Sequence, residues 1–282
     1  MKQFYPDCKL IIFDLDGTLY EDTDHFDYYA SLLKEKVAND DQEKFMNDYE
    51  HMKTGNHAVG IGKAYDVEHD AILTLDPLTL KVTHVQNWDG SEWKSEDVTR
   101  TYDRELAFDF EKMIAIGDGW WLPYSAARHY GVSIEETYHC YTKTKDFMVT
   151  DDFQLTKTPG LKKGLQKLKE EAEIVLVTNS EKDDVERLLN ELELDDLFPE
   201  IIPLAQKPVQ TKKIFQDLMK KYGVKAEQTV SIGDNLINEI APALLLGLKT
   251  IYIQPTGIEL EHDNLKVVTS LADVFEAVDE ME

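Results

Sequence analysis

Short, largely apolar runs that stop at polar residues recur along this chain. Four of them predict strands, at residues 10–13, 174–177, 229–232 and 250–253. Short runs bounded in this way are typical of strands buried on both faces of a parallel sheet. A weaker run, Ile201–Leu204, predicts a further strand, and Pro203 places it at a sheet edge or at a strand end.

Between these runs, apolar residues recur at helical spacing. Amphipathic helices are predicted around Leu161–Leu168, Val185–Leu192 and Ile214–Tyr222. The stretch Leu236–Leu246 is the most apolar, so it predicts the most buried helix, with Pro242 marking a kink or a late start. Strands and helices that alternate in this way indicate an α/β sheet with helices on both faces.

Residues 21–158 break this alternation. The pattern there predicts two strands within Ala71–Val85, joined by a turn at Asp76-Pro77. It also predicts helices at Asp24–Ala38, at Asp41–Lys53, near Arg104–Ala115 and at Ile134–Met148. A passage of this size and character indicates a second domain inserted into the first.

The predicted fold class is therefore α/β. A doubly wound, Rossmann-like parallel core is expected from residues 1–20 and 159–282, which form one discontinuous domain. Residues 21–158 are expected to form an inserted, mainly helical domain that carries a small β element.

Composition narrows the possible partners. The chain has 282 residues, 42% apolar and 30% charged, as expected for a globular protein. Acidic residues outnumber basic ones by 55 to 30, and a formal charge of −25 disfavours nucleic acid and anionic lipid as partners. The two cysteines form no zinc or disulfide pattern. No long apolar stretch marks a signal peptide or membrane span, which predicts a cytoplasmic protein without a membrane partner.

Polar residues converge where the predicted strands end. Asp14 and Asp16 follow the first run, Thr178 follows the second and Asp234 the third, with Lys207 in the preceding connection. In open α/β sheets, functional residues collect just beyond the carboxyl ends of the strands. Crowded carboxylates repel unless positive charge lies among them, and carboxylate oxygens suit Mg²⁺. We therefore expect a Mg²⁺ site that, together with Lys207, holds a phosphate group.

These residue types also indicate a reaction. A carboxylate can attack phosphorus and form an aspartyl-phosphate, which divides hydrolysis into two steps. Mg²⁺, Lys207 and the Thr178 hydroxyl can stabilise the charge on the transferring oxygens. A second carboxylate can protonate the leaving alkoxide and then activate water, and Asp16 has a suitable position for this task.

Four short motifs occur in order along the chain: Asp14-Leu15-Asp16-Gly17-Thr18, Val177-Thr178-Asn179, Lys207-Pro208, and Gly233-Asp234 with Asn238-Glu239. Together they resemble the motifs of the haloacid dehalogenase-like (HAD) hydrolase superfamily, in its phosphatase branch. The resemblance covers residues 8–20 and 159–254 and includes little of the insert.

The resemblance implies a role for each matching residue. Asp14 would be the nucleophile and a metal ligand, and Asp16 the general acid and base that offers its backbone carbonyl to Mg²⁺. Asp234 would complete the metal site. Phosphate would be bound by Thr178, Asn179 and Lys207.

Two further features follow from the same resemblance. Family members commonly carry Asp where this chain has Glu239, a position that supports the metal from further out. The insert lies between the first and second motifs, the place of a C1-type cap in this family. Caps close over the site, exclude water and choose the substrate. A small phosphorylated metabolite is the expected substrate.

Other functions remain open on the sequence alone. A dehalogenase is disfavoured because that branch lacks the acid that Asp16 supplies. A sugar phosphomutase, or a phosphonatase using a cap lysine such as Lys63, is possible on the same fold. A receiver domain would hold an aspartyl-phosphate instead of hydrolysing it. A non-catalytic phosphate-binding protein is the remaining alternative, since a fold does not guarantee an activity.

Overall fold

The computed structural model describes residues 4–21, 24–76, 78–104, 106–150, 153, 155–254 and 261–279. The chain divides into two units. Met1–Glu21 and Thr156–Glu282 together make the core unit, and Asp22–Leu155 makes the insert unit.

The strands within the described residues are, in chain order, β1 (Leu10–Phe13), β2 (Lys63–Asp66), β3 (Ala71–Leu75), β4 (Val82–Asn87), β5 (Met113–Ile116), β6 (Glu173–Val177), β7 (Glu200–Ile202), β8 (Thr229–Gly233), β9 (Lys249–Ile253) and β10 (Leu265–Val268). The α-helices are α1 (Asp24–Lys34), α2 (Gln42–Lys53), α3 (Ser95–Thr101), α4 (Trp121–His129), α5 (Ile134–Phe147), α6 (Leu161–Glu171), α7 (Lys182–Glu191), α8 (Thr211–Tyr222), α9 (Ala241–Leu245) and α10 (Leu271–Asp279).

Six parallel strands form the sheet of the core unit, in the order β10-β9-β8-β1-β6-β7. Strand β1 is buried along its whole length, with Phe13 in register with Leu176 of β6 and Ile232 of β8. This register brings the carboxyl ends of β1, β6 and β8 side by side. Strand β7 lies at the sheet edge and ends before Pro203, as the sequence predicted. The predicted parallel α/β core is confirmed.

The apolar stretch Leu236–Leu246 is helical, as predicted. Leu236–Ile240 forms a buried π-helical turn, and α9 follows it with Pro242 near its start. The missing N–H group of proline is tolerated in the first turn of a helix, so Pro242 marks the late start. None of the helices in the described ranges is long and apolar enough to cross a lipid bilayer.

The insert unit holds a four-stranded antiparallel sheet in the order β4-β3-β2-β5. Strands β3 and β4 are the predicted pair, and β2 and β5 were not predicted. A hydrophobic core joins the sheet to the helices of this unit, and its buried residues include Tyr29, Phe45, Tyr65, Ile72 and Ile114. The predicted β element is therefore present, with twice the predicted number of strands. Pro77 of the predicted turn lies outside the described residues.

The prediction of a helix near Arg104–Ala115 is wrong. Met113–Ile116 is strand β5, and the described residues 106–112 contain no helix. Oδ1 of Asp109 accepts hydrogen bonds of 2.8–3.1 Å from the backbone N–H groups of residues 111–113. These N–H groups therefore bond to the Asp109 side chain in a turn, and not to the backbone carbonyls of a helix. Helices α3 and α4 were not predicted.

The chain leaves and re-enters the core unit at neighbouring positions. Tyr20 and Lys157 pair in an isolated antiparallel β-bridge, and Asp16 and Tyr20 pair in a parallel one. The hydroxyl of Thr158 donates a hydrogen bond of 3.2 Å to the carbonyl of Leu19. The segment just after β1 is thereby fixed against the segment before α6.

Candidate active site

Lys207 is buried between two carboxylates at the carboxyl end of β1. Its Nζ lies 2.7 Å from Oδ1 of Asp14 and 3.0 Å from Oε2 of Glu239. Only 2% of the residue is exposed. Asp14 directly follows β1 and is also buried. The predicted nucleophile and the predicted phosphate-binding lysine are therefore in direct contact.

Asn179 holds the loop that presents Lys207. The Lys207 N–H donates to Oδ1 of Asn179 at 2.7 Å, and Nδ2 of Asn179 donates to the Lys207 carbonyl at 3.0 Å. Thr178 is buried beside it, and its Oγ1 accepts a hydrogen bond of 3.1 Å from the N–H of Ser180. Both residues were predicted to bind phosphate, and the Asn179 side chain supports the lysine loop.

Three acidic side chains come together next to Lys207. Asp14, Asp234 and Glu239 each place one carboxylate oxygen within 4.8 Å of the others. Glu239 belongs to the π-helical turn, and its Oε1 accepts a hydrogen bond of 2.8 Å from the N–H of Asn235. π-Helical turns are frequent at functional sites. Glu239 is thereby directed into the cluster itself, closer than the sequence had suggested.

Asp16, the predicted acid and base, makes a different set of contacts. Its Oδ1 accepts a hydrogen bond of 2.5 Å from the Tyr20 hydroxyl, and its Oδ2 accepts one of 2.5 Å from the Ser180 hydroxyl. Tyr20 and Ser180 were not identified from the sequence as partners of Asp16. A tyrosine four residues after Asp16 gave no signal of this contact, because an aromatic residue there equally suits the core.

Burial determines the electrostatics of this cluster. Desolvation raises the pKa of the Asp14 carboxyl, and the Lys207 ammonium counteracts this increase. The pKa of the Glu239 carboxyl is raised for the same reason, again against the pull of Lys207. Burial alone would lower the pKa of Lys207, but Asp14 and Glu239 raise it above its ordinary value. Lys207 therefore remains an ammonium among acidic groups that outnumber it.

This donor set fits a hard divalent cation. Three carboxylates share the cluster with a single ammonium, and the cost of burying them falls when a cation lies among them. Carboxylate and carbonyl oxygens are the ligands that Mg²⁺ prefers. The chemistry of the residues is therefore compatible with the predicted Mg²⁺.

Gly17 lets the chain pass close to Asp234. Its φ is +72°, and a Cβ atom placed there would lie 2.1 Å from Oδ2 of Asp234. Gly17→Ala is therefore expected to lower the free energy of unfolding by about 2–4 kcal/mol, from the left-handed backbone and from overpacking. Urea denaturation followed by far-UV circular dichroism measures the change.

The matched control for this prediction is Gly160→Ala in the same unit. Gly160 has a similar φ of +71°, but a Cβ atom there would meet nothing within 4 Å. The control should therefore show only the backbone cost, about 1–2 kcal/mol. Equal losses in the two variants would contradict a close fit between Gly17 and Asp234.

Comparison with known proteins assigns the family. Residues 8–247 match the haloacid dehalogenase-like hydrolases, and the chain belongs to this family of hydrolases. The predicted membership is thereby confirmed. A glyceraldehyde 3-phosphate phosphatase from Pyrococcus furiosus is 29% identical over 134 residues, which are 44% of this chain and 55% of that protein. The match thus spans about half of the relative's length.

Solved structures align over nearly the whole chain. The HAD-hydrolase YfnB from Bacillus subtilis aligns over 96% of this chain and 99% of its own, with 16% identity and a TM-score of 0.52. A haloacid dehalogenase-like family hydrolase from Xanthomonas campestris aligns over 97% and 96%, with 16% identity and a TM-score of 0.48. At such identity the likeness to YfnB concerns the fold alone.

Proposed function

We propose that the chain is a Mg²⁺-dependent phosphatase that hydrolyses a small phosphorylated metabolite through an aspartyl-phosphate on Asp14. The observation that carries this proposal is the buried Asp14 carboxylate, 2.7 Å from the Lys207 ammonium, at the end of a central parallel strand. Membership in a hydrolase family supports it. The resemblance to a glyceraldehyde 3-phosphate phosphatase over part of the chain supports a phosphate monoester as substrate.

In the proposed reaction, an oxygen of Asp14 attacks phosphorus while the bond between phosphorus and the ester oxygen breaks. Asp16 donates its proton to that departing oxygen, so that an alcohol leaves. Water then attacks the aspartyl-phosphate, Asp16 takes a proton from it, and the bond between Asp14 and phosphorus breaks. Lys207 and Thr178 donate hydrogen bonds to the transferring oxygens, over which the negative charge is spread in the transition state of both steps.

The metal would be held by the acidic side of the site. Asp14 and Asp234 would supply carboxylate oxygens and Asp16 its backbone carbonyl, while Glu239 would support the set from the π-helical turn. When bound, Mg²⁺ stabilises the negative charge of the phosphoryl group.

The insert also has a role in the proposal. Residues 1–20 and 159–282 would form the catalytic domain, and residues 21–158 a C1-type cap that selects the substrate. The named substrate of the partial relative, glyceraldehyde 3-phosphate, is a reasonable first member of a panel of small phosphate esters.

Removal of Mg²⁺ tests this function. The expected result is that EDTA lowers phosphate release from 4-nitrophenyl phosphate and from small phosphate esters by at least about a hundredfold, because charge stabilisation by one metal contributes several kcal/mol. Excess Mg²⁺ should restore the rate. Far-UV circular dichroism in EDTA is the control, since an unfolded protein would also lose activity.

A folded protein that keeps its full rate in EDTA would contradict the metal dependence. A protein that releases no phosphate from any ester of the panel, even with Mg²⁺, would contradict the phosphatase proposal as a whole.

A further inference from the structure

We propose that Tyr20 and Ser180 are positioning residues that hold the Asp16 carboxyl in the orientation needed for proton transfer. This inference rests on the proposed function, because it concerns the acid and base of that reaction. The observation behind it is that each oxygen of Asp16 accepts a hydrogen bond from a different hydroxyl, one from Tyr20 and one from Ser180.

The two hydroxyls approach from different parts of the core unit. Tyr20 follows β1 in the chain, while Ser180 lies in the connection after β6. Rotation of the Asp16 carboxyl about its last side-chain bond would break both hydrogen bonds together. Short bonds from hydroxyls to a carboxylate are among the stronger ones in proteins. The pair therefore fixes the plane of the Asp16 carboxyl.

Both donors are themselves held in place. Tyr20 is fully buried, and its backbone pairs with Asp16 on one side and with Lys157 on the other. Ser180 is 6% exposed, and its N–H donates to Oγ1 of Thr178 at 3.1 Å. Its carbonyl accepts a hydrogen bond of 3.0 Å from the N–H of Leu204. Neither hydroxyl can move far without disturbing the end of the sheet.

Orientation matters because the proton must travel along a short, aligned path. In the first step the ester oxygen takes the proton of Asp16 as its bond to phosphorus breaks. In the second step Asp16 takes a proton from the attacking water. Misplacement of a catalytic group by about 1 Å can cost a factor of about a hundred in rate. Removing either hydroxyl should therefore slow proton transfer while the binding of phosphate by Lys207 and Thr178 is unchanged.

The variants Tyr20→Phe and Ser180→Ala test this inference, with two substrates that differ in their leaving group. An alkyl phosphate such as glyceraldehyde 3-phosphate leaves as an alkoxide and needs the proton, whereas 4-nitrophenyl phosphate leaves as a stable phenolate. The expected result is that kcat/KM for the alkyl ester falls by about 10- to 100-fold in each variant. For the 4-nitrophenyl ester, kcat/KM should fall by less than about fivefold.

Two controls separate positioning from a general structural effect. Ser180→Thr keeps a hydroxyl and should recover most of the activity lost in Ser180→Ala. Tyr5→Phe removes another buried tyrosine hydroxyl of the core unit, bonded to the Thr250 carbonyl at 2.9 Å, and should leave both substrates unaffected. Equal losses on the two esters, or no loss on either, would overturn the inference while the phosphatase proposal stands. A wild type that releases no phosphate from any ester of the panel would overturn both.

Discussion

Asp14→Asn is expected to lower phosphate release by at least about a thousandfold, because removal of the proposed nucleophile leaves only binding and charge stabilisation. The amide has nearly the shape of the carboxylate, but it carries no negative charge and attacks phosphorus poorly. Its oxygen can still accept the hydrogen bond that Asp14 receives from Lys207 at 2.7 Å. The substitution also removes one buried acidic charge from a crowded cluster. For both reasons the variant should fold.

Initial rates of phosphate release with saturating Mg²⁺ measure this effect, and far-UV circular dichroism checks the fold. Asp196→Asn is the matched control, because Asp196 is exposed in the same unit and should keep the wild-type rate. Incubation with a ³²P-labelled substrate followed by acid quenching should trap labelled protein from the wild type and none from Asp14→Asn. A variant within tenfold of the wild-type rate would exclude Asp14 as the nucleophile.

Lys207→Met is expected to lower the free energy of unfolding by about 3–5 kcal/mol, the typical cost of removing one partner from a buried ion pair. The reason is that Asp14 and Glu239 would remain buried without the ammonium that lies 2.7 and 3.0 Å from them. Phosphate release should also fall by at least about a hundredfold, because the proposed donor to the transferring oxygens is lost.

The pH dependence of this loss has a definite sign. Burial already raises the pKa of Asp14 and Glu239, and without Lys207 these values rise further. The folded variant then binds more protons than the unfolded chain above about pH 4, so its stability falls as pH rises. Urea denaturation of variant and wild type at pH 5 and pH 8 should show the larger difference at pH 8.

Two further variants make this prediction specific. Lys221→Met removes a lysine whose Nζ lies 2.7 Å from Glu200 but which is largely exposed, and it should cost at most about 1 kcal/mol. Adding Glu239→Gln to Lys207→Met removes one of the unpaired charges and should recover part of the lost stability. A loss in Lys207→Met no larger than that in Lys221→Met would contradict the buried pairing.

The sequence was sufficient to predict the fold and the site where a single physical requirement determines the residue types. Strands buried on both faces must be apolar, so runs such as Leu10–Phe13 identified the parallel core, and the polar residues after them marked the site. The sequence was insufficient where tertiary contacts determine the secondary structure of a segment. Lys63–Asp66 is too short and polar to predict β2, and Asp109 diverts a helical pattern into a turn before β5.

The site shows the same division. Asp14, Asp234 and Lys207 were predicted, and the structure brings them together with Glu239. The position of the Glu239 side chain in the cluster depends on a π-helical turn. A single turn of this kind leaves no recognisable periodicity in the sequence. The hydrogen bond from Ser180 to Asp16 joins segments far apart in the chain, and the one from Tyr20 depends on the local course of the chain after β1, so no spacing rule reveals either.

The pairing of Tyr20 with Lys157 has a consequence for the evolution of this chain. Because the two ends of the insert are joined by their own hydrogen-bonded bridge, we expect the core to tolerate inserts of different length. Closing a loop costs only about 0.6 kcal/mol more each time its length doubles. A lineage can therefore exchange or enlarge this segment as a module, while the residues anchored beside the bridge keep their places.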